Sequence, residues 1–298
     1  MNGHADSLSF DIVARIAELA PALRSAERKV AALILDDLAG ASRASIGALA
    51  DKADVSVATV TRFAKAVGCE DVRELKLRLA QAAAVGQRFL RREPDDDDAA
   101  PDSLSARIFA DVQQTLAQNQ GALRAAPIAS AADALAAASM IYVFGMGGGS
   151  TALADEMRFR LVRLGRPVAS YQDGLLQRMV AATLSKEQVV VALSVTGQTP
   201  EMVESCRLAK QYGARVIALT APASPLGALA DWLIPIIAIE TDFIYKPSSS
   251  RYAMLMALDL LVTELAVKQA DTSRELLRRM KHALDAHRGG GERQPLGD

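Results

Sequence analysis

Cysteine is almost absent from this chain, with Cys69 and Cys206 the only two in 298 residues. Neither lies in a Cys-x-x-Cys pair or a Cys/His cluster, so a disulfide framework and a structural zinc site are both excluded, and reduced thiols are expected. Histidine is nearly as scarce, at His4, His282 and His287 only. The longest apolar runs, such as Val189 to Leu193, are the length of strands and far short of the roughly 20 residues a membrane-spanning helix needs. The polar start, Met1 to Phe10, lacks the charged-then-apolar layout of a signal peptide. Neither sign of charge is in excess, the formal net charge being -1. That excludes no class of partner, because a basic face can be offset by acid elsewhere. The expectation is a cytoplasmic protein with no metal, no cofactor and no membrane association.

What is present is enough chain for two domains, each able to bury its own core. From Ile12 to about Ala84 apolar residues recur at three- and four-residue spacing, which predicts four or five helices and no strand. Residues 88–102 contain Asp95 to Asp98 between Pro94 and Pro101; successive aspartates repel and prolines break helices, so this is read as an acidic linker. Domains are therefore expected at 1–87 and 103–288, with a disordered tail at 289–298.

Beyond the linker a long helix from about Ser103 to Arg124 precedes alternating short apolar strands and amphipathic helices. Strands are expected at Ile141 to Phe144, Pro167 to Ser170, Val189 to Leu193, Val216 to Leu219 and Trp232 to Ile237. Helices fall between them near Thr151 to Leu164, Gln172 to Thr183, Pro200 to Tyr212 and Pro225 to Ala230, then near Ser249 to Lys268 and Ser273 to His287. This alternation predicts an α/β domain, a mainly parallel five-stranded sheet covered by helices on both faces.

In the first half, Ser45 to Gly68 has the layout of a helix-turn-helix. Ala50 is small enough for two helices to cross, Val55 plugs the corner, and Ser56 suits the N-cap of the second helix. Asp54 takes the corner position where glycine is common; aspartate tolerates the left-handed conformation needed there. Val60, Phe63, Ala64 and Val67 form an inward stripe, leaving Thr59, Thr61, Arg62 and Lys65 facing outward. With Ser56 and Val57 at the helix start, these are the candidate DNA contacts, since hydroxyls permit close approach and the cations suit guanine or phosphate. Residues 1–92 carry 14 Lys and Arg against 11 Asp and Glu, a surplus of three positive charges. A helical hairpin with merely solvated cations remains the alternative.

In the second half two strand ends are rich in glycine and hydroxyls, Gly145 to Thr151 and Ser194 to Thr199, and each leads into a helix. Free backbone N–H groups, a helix dipole and hydroxyls together favour an anion. Gly147, Gly148, Gly149 and Ser150 from the first, with Ser194, Thr196, Gly197, Gln198 and Thr199 from the second, are the candidate ligand contacts. Ser150 stands where a dinucleotide fingerprint needs its third glycine, and no lysine followed by Ser or Thr makes a nucleotide P-loop. Ordinary tight turns are the competing explanation. Lys246 to Arg251 opens a late helix, where helix capping competes with adding positive charge to the pocket.

The first half, through Leu23 to Ala31, Ser45 to Ala50, Val55 to Phe63 and Glu74 to Leu79, resembles the amino-terminal domain of RpiR-family (MurR/RpiR) transcriptional regulators. The second half looks like their SIS, or sugar isomerase, domain. The resemblance implies a regulator that binds a double-stranded DNA operator as a homodimer or higher oligomer and senses a phosphorylated sugar or sugar acid. In SIS domains a Gly-x-Gly-x-Ser loop and a Ser-x-Ser-Gly-x-Thr loop hold the sugar phosphate. The second is present as Ser194-Val195-Thr196-Gly197-Gln198-Thr199, with threonine for one serine. The first departs: counted from Gly145 it is one residue longer, and aligned on Ser150 it loses its first glycine. The alternative is a sugar-phosphate isomerase, which needs an acid/base group. No histidine falls in either loop, leaving Glu201 or Glu240 as candidates, and Glu201 beside Pro200 is equally a first-turn helix acid.

Overall fold

The computed structural model describes residues 11–84, 103–238 and 248–289. They fall into two compact units, one formed by 11–84 and the other by the remaining described residues. The expected linker and all of the expected tail except Gly289 lie outside the described residues.

The first unit is entirely helical: α1 (Ile12–Leu19), a 3-10 turn (Ala20–Ala22), α2 (Ser25–Asp36), α3 (Leu38–Arg43), α4 (Ile46–Lys52), α5 (Val57–Ala66) and α6 (Val72–Ala84). The helix count exceeds the expected four or five because α3 is barely more than a turn, started by Asp37, whose side chain accepts from Gly40 N. Ile16, Val30, Ile34, Leu49, Val60, Phe63, Leu75 and Leu79 meet in one core. Fully burying such side chains contributes about 1.5–3 kcal/mol each.

The second unit begins with α7 (Ser103–Ala125) and α8 (Ile128–Ala137). Then come β1 (Met140–Gly145), α9 (Gly148–Arg163), β2 (Val168–Tyr171), α10 (Gly174–Ala181), β3 (Gln188–Ser194), α11 (Pro200–Gln211), β4 (Arg215–Thr220), α12 (Pro225–Leu229) and β5 (Trp232–Pro235). Helices α13 (Ser250–Lys268) and α14 (Ala270–His287) close it. The sheet runs β2-β1-β3-β4-β5, every neighbour parallel, so β3 is central. Because side chains alternate faces along a strand, Val189, Val191 and Leu193 pack under α8, α9 and α13, while Val190 and Ala192 pack under α10 and α11. The unit is thus an αβα sandwich.

Several boundaries differ from expectation, the last helix for one starting at Ala270 and not Ser273. Helix α9 starts at Gly148, three residues before Thr151, so Gly148 and Gly149 belong to its first turn. Strand β5 stops at Pro235, because Ile237 turns its backbone to Asn119, accepting from Nδ2 and donating to Oδ1, both at 2.8 Å. Asn119 is fully buried on α7, and its Nδ2 also donates to Thr115 O at 2.9 Å. Thr115 in turn donates its hydroxyl to Ser249 at 2.7 Å, at the start of α13.

Candidate DNA-reading surface and effector pocket

In the first unit, α4 and α5 are joined by a tight corner in which Val55 N donates to Ala50 O at 2.9 Å. Ala50 is buried and Val55 packs against the core, as the small-residue crossing requires. Asp54 adopts φ +51, the described non-glycine residue with positive φ. Lys29 of α2 holds it there, its Nζ 2.7 Å from Asp54 Oδ2. That hydrogen bond, and the charge behind it, hold the Asp54 carboxyl below its ordinary range.

Ser56 caps α5, its hydroxyl accepting from Thr59 N at 3.3 Å. Val60, Phe63, Ala64 and Val67 are completely buried. Ser56, Val57, Arg62 and Lys65 are exposed, whereas Thr61 is half-buried and donates its hydroxyl to Val57 O at 3.2 Å. Thr59 does not face outward. It is only 4% exposed, because its position in the first turn faces back under the Ser56 cap, and its hydroxyl lies 3.0 Å from Ser56 Oγ and 3.1 Å from Arg62 Nη2.

In the second unit the loops after β1 and β3 meet over the carboxyl edge of the sheet and enclose a cavity of about 280 Å³. That is the crevice where open parallel sheets take ligands. Gly147, Gly149, Ser150, Ser194, Thr196 and Thr199 all line it; Gly148, Gly197 and Gln198 do not. Gly147 is the N-cap of α9, with φ +75 and no side-chain cap. Thr199 is the uncapped N-cap of α11. Two helix starts therefore bring unsatisfied N–H groups and positive dipole ends to one cavity.

Gly197 and Gln198, outside the lining, form the turn after β3. Gly197 turns the chain at φ +64, and a side chain there would collide with the Ser224 and Thr220 hydroxyls. Its N–H is held by the buried Ser194 Oγ at 3.0 Å. Gln198 is exposed, and its N–H is accepted by Thr196 Oγ1 at 3.3 Å. Gly145 ends β1 where a Cβ would meet the Ser150 carbonyl and, at 2.8 Å, Ala154 Cβ. Counting the first motif from Gly145 thus fits the packing and puts Gly149 in the place of the motif's serine, beside Ser150.

The structure adds Met146, Leu153, Val195, Ser248 and Arg251 to the lining. Arg251 is the one charged side chain among the described lining residues. Ser249 occupies the N-cap position of α13 but makes no side-chain cap bond, its hydroxyl being taken by Thr115. Within Lys246 to Arg251, the described Ser248 and Arg251 line the cavity. Lys246 lies outside the described residues, as do Glu240 and His4. Glu201 is exposed in the first turn of α11 and His282 and His287 are exposed on α14; none of these three lines the cavity. The thiol of Cys206 is buried on α11, which pushes its pKa up to about 12. It is an apolar packing group with no nucleophilic character.

The helix-turn-helix domain of the rpiR family matches residues 10–86, and the SIS domain matches 134–264. The HTH-type transcriptional regulator HexR of Pseudomonas aeruginosa is 36% identical over 262 residues, 88% of this chain and 91% of that protein. The chain belongs to the rpiR family of helix-turn-helix transcriptional regulators. Both family domains are present in family order, so the helical unit reads DNA and the αβα unit is its SIS domain. The family also reaches larger proteins: a bifunctional protein glk of Burkholderia orbicola is 32% identical over 280 residues, 92% of this chain but 42% of that protein. In structure the chain is similar to the Vibrio vulnificus NanR protein complexed with ManNAc-6P, with TM-score 0.56 and 20% identity, covering 92% of this chain and 97% of that one. At that identity the likeness speaks to the fold. No described helix is long and apolar enough to cross a membrane.

Proposed function

We propose that this regulator senses a phosphorylated sugar or a related anionic metabolite in the cavity between the β1 and β3 loops, and that occupancy alters its hold on an operator. One observation carries this: hydroxyls from Ser150, Ser194, Thr196 and Thr199, two uncapped helix starts and the single cation Arg251 surround one space, with no carboxylate among the described lining residues. Each of these favours an anion. The phosphosugar in the NanR complex belongs to that protein and makes the same class worth testing here.

Sensing is favoured over turnover, since aldose-ketose isomerisation needs an acid/base group at the sugar carbon. The candidate acids and histidines within the described residues stand outside the lining. We take 1–87 as the DNA-binding domain, 88–102 as the linker, 103–288 as the sensor and 289–298 as a tail. The protein acts in the cytoplasm as a homodimer, because helix-turn-helix units read paired half-sites. On α5, Ser56, Val57, Thr61, Arg62 and Lys65 contact the operator. Effector binding shifts the balance between two arrangements of the paired DNA-reading units by differential affinity.

The test is a thermal-shift screen of sugar phosphates and sugar acids, because a ligand that binds only the native state raises its apparent stability. A phosphorylated hit should lose its shift in Ser194→Ala with Thr196→Ala, while that variant still folds and binds DNA. A screen in which no phosphorylated compound shifts the transition would overturn the assignment of the cavity.

A further inference from the structure

We propose that Thr59 is a positioning residue for DNA recognition, setting the orientation of Arg62 and of the Ser56 hydroxyl without touching DNA itself. The proposal rests on Arg62 being a DNA contact. Thr59 is too buried, at 4% exposure, to reach a duplex. Its hydroxyl nevertheless sits at the junction of two exposed residues that can, 3.1 Å from Arg62 Nη2 and 3.0 Å from Ser56 Oγ.

The direction of these bonds follows from what each group can do. A guanidinium only donates, so Thr59 Oγ1 accepts from Arg62. The Thr59 proton is buried, and a buried hydroxyl proton without an acceptor is costly; the acceptor within reach is Ser56 Oγ. Ser56 Oγ then accepts twice, from Thr59 Oγ1 and from Thr59 N at 3.3 Å. Its own O–H is left to donate outward at the start of α5, where a DNA phosphate is suited to accept. Arg62 commits one of its five N–H donors to this chain and has no other hydrogen-bonded partner among the described residues. The rest of its planar fork remains free for a guanine edge or a phosphate.

An arginine held in place before binding loses less side-chain freedom on binding. Immobilising such a side chain costs about 0.5–1.5 kcal/mol, which corresponds to an affinity difference of about two- to tenfold. The hydroxyl of Thr59, more than its methyl group, is what the preorganisation needs.

The experiment uses the full chain. The probe is a duplex that the wild-type protein selects from a random-sequence pool, with a scrambled duplex of equal length as the non-specific reference. Thr59→Val, which exchanges hydroxyl for methyl, and Thr59→Ser, which keeps the hydroxyl, are each made alone and together with Arg62→Ala. Arg62→Ala alone should weaken binding to the selected duplex. Thr59→Val should weaken it about two- to tenfold, while Thr59→Ser stays near wild type. In the Arg62→Ala background Thr59→Val should cost clearly less than in wild type, leaving only the share carried through Ser56, and the scrambled duplex should register the threonine changes less than the selected one.

Equal losses from Thr59→Val in both backgrounds would make its effect one of helix packing and overturn the proposal. So would wild-type affinity in Thr59→Val, or a Thr59→Val protein that no longer folds while Thr59→Ser does. If Arg62→Ala alone leaves affinity unchanged, the assignment of Arg62 as a contact fails first, a result distinct from the others.

Discussion

Gly197 offers a measurement of how tightly the β3 loop is seated beneath the pocket. Replacing it by alanine imposes two penalties. A residue with a side chain at φ +64 pays about 1–2 kcal/mol for the left-handed conformation. The new methyl group also overlaps the hydroxyls of Ser224 and Thr220. Thr220 is fully buried, and Ser224 donates to Ala221 O at 2.6 Å and accepts from Gly227 N at 3.0 Å, so neither gives way freely. Overpacking of this kind costs about 1–3 kcal/mol, for a total near 2–5 kcal/mol. In a domain of this size that lowers the melting temperature by about 4–20 °C.

Two companion variants separate the terms. Gly147 also has positive φ, at +75, but a Cβ there meets nothing within 4 Å. Gly147→Ala should therefore pay the backbone penalty alone. Gly149 lies in the first turn of α9, and its nearest obstacle is Arg251 Cβ at 3.9 Å; Gly149→Ala should be neutral or stabilising by up to about 1 kcal/mol. Thermal and urea denaturation followed by circular dichroism would rank the three. If Gly197→Ala unfolds no earlier than Gly147→Ala, the packing of Gly197 against Thr220 and Ser224 is refuted.

Further outcomes follow from the same geometry. Arg251→Ala should weaken a phosphorylated ligand by about tenfold, the low end for a charge-assisted hydrogen bond because the side chain is exposed, and calorimetric titration would measure it. Phe63→Ala, emptying the core beneath α5, should cost about 3–5 kcal/mol and abolish DNA binding, while ligand-induced stabilisation of the SIS domain persists. Glu74 accepts from Glu70 N at 2.6 Å and from Arg78 Nη2 at 2.7 Å, which hold its carboxyl below the ordinary 4.5, the backbone bond having the larger effect. A depressed folded pKa gives stability that is present above about 4.5 and lost as pH falls below it. Glu74→Gln should flatten the dependence of the melting temperature on pH below that value and leave its shape at neutral pH unchanged.

The strands were legible because β3 is a run of Val, Ala and Leu buried on both faces, a pattern typical of a covered parallel sheet, and helical segments alternate with the strands. The inward stripe of α5 was equally plain from its spacing. Helix α8 went unread because its sequence, Ile128–Ala137, is dominated by alanine, whose periodicity carries little signal even though Ala131, Ala132 and Ala134 are buried. Thr59 was misread because helical spacing gives a face without saying how far a first turn folds under its cap. Arg251 was visible only as part of a charged helix start. Its place in the cavity depends on chain folding back across more than fifty residues to meet Ser194, a juxtaposition that no local pattern contains.

The hydrogen bonds of Thr115 and Asn119 give α7 a mechanical role. This helix grips the chain on both sides of residues 239–247, at Ile237 and at Ser249, next to the Ser248 and Arg251 that border the cavity. It is also the first described segment after the DNA-reading unit. Ser248 and Arg251 thus flank a residue, Ser249, that α7 holds directly through Thr115. Thr115→Val removes the hold of α7 on Ser249 while Asn119 keeps Ile237, and should leave ligand affinity intact while blunting its effect on operator binding. An undiminished response in a direct DNA-release assay would show that the signal travels elsewhere.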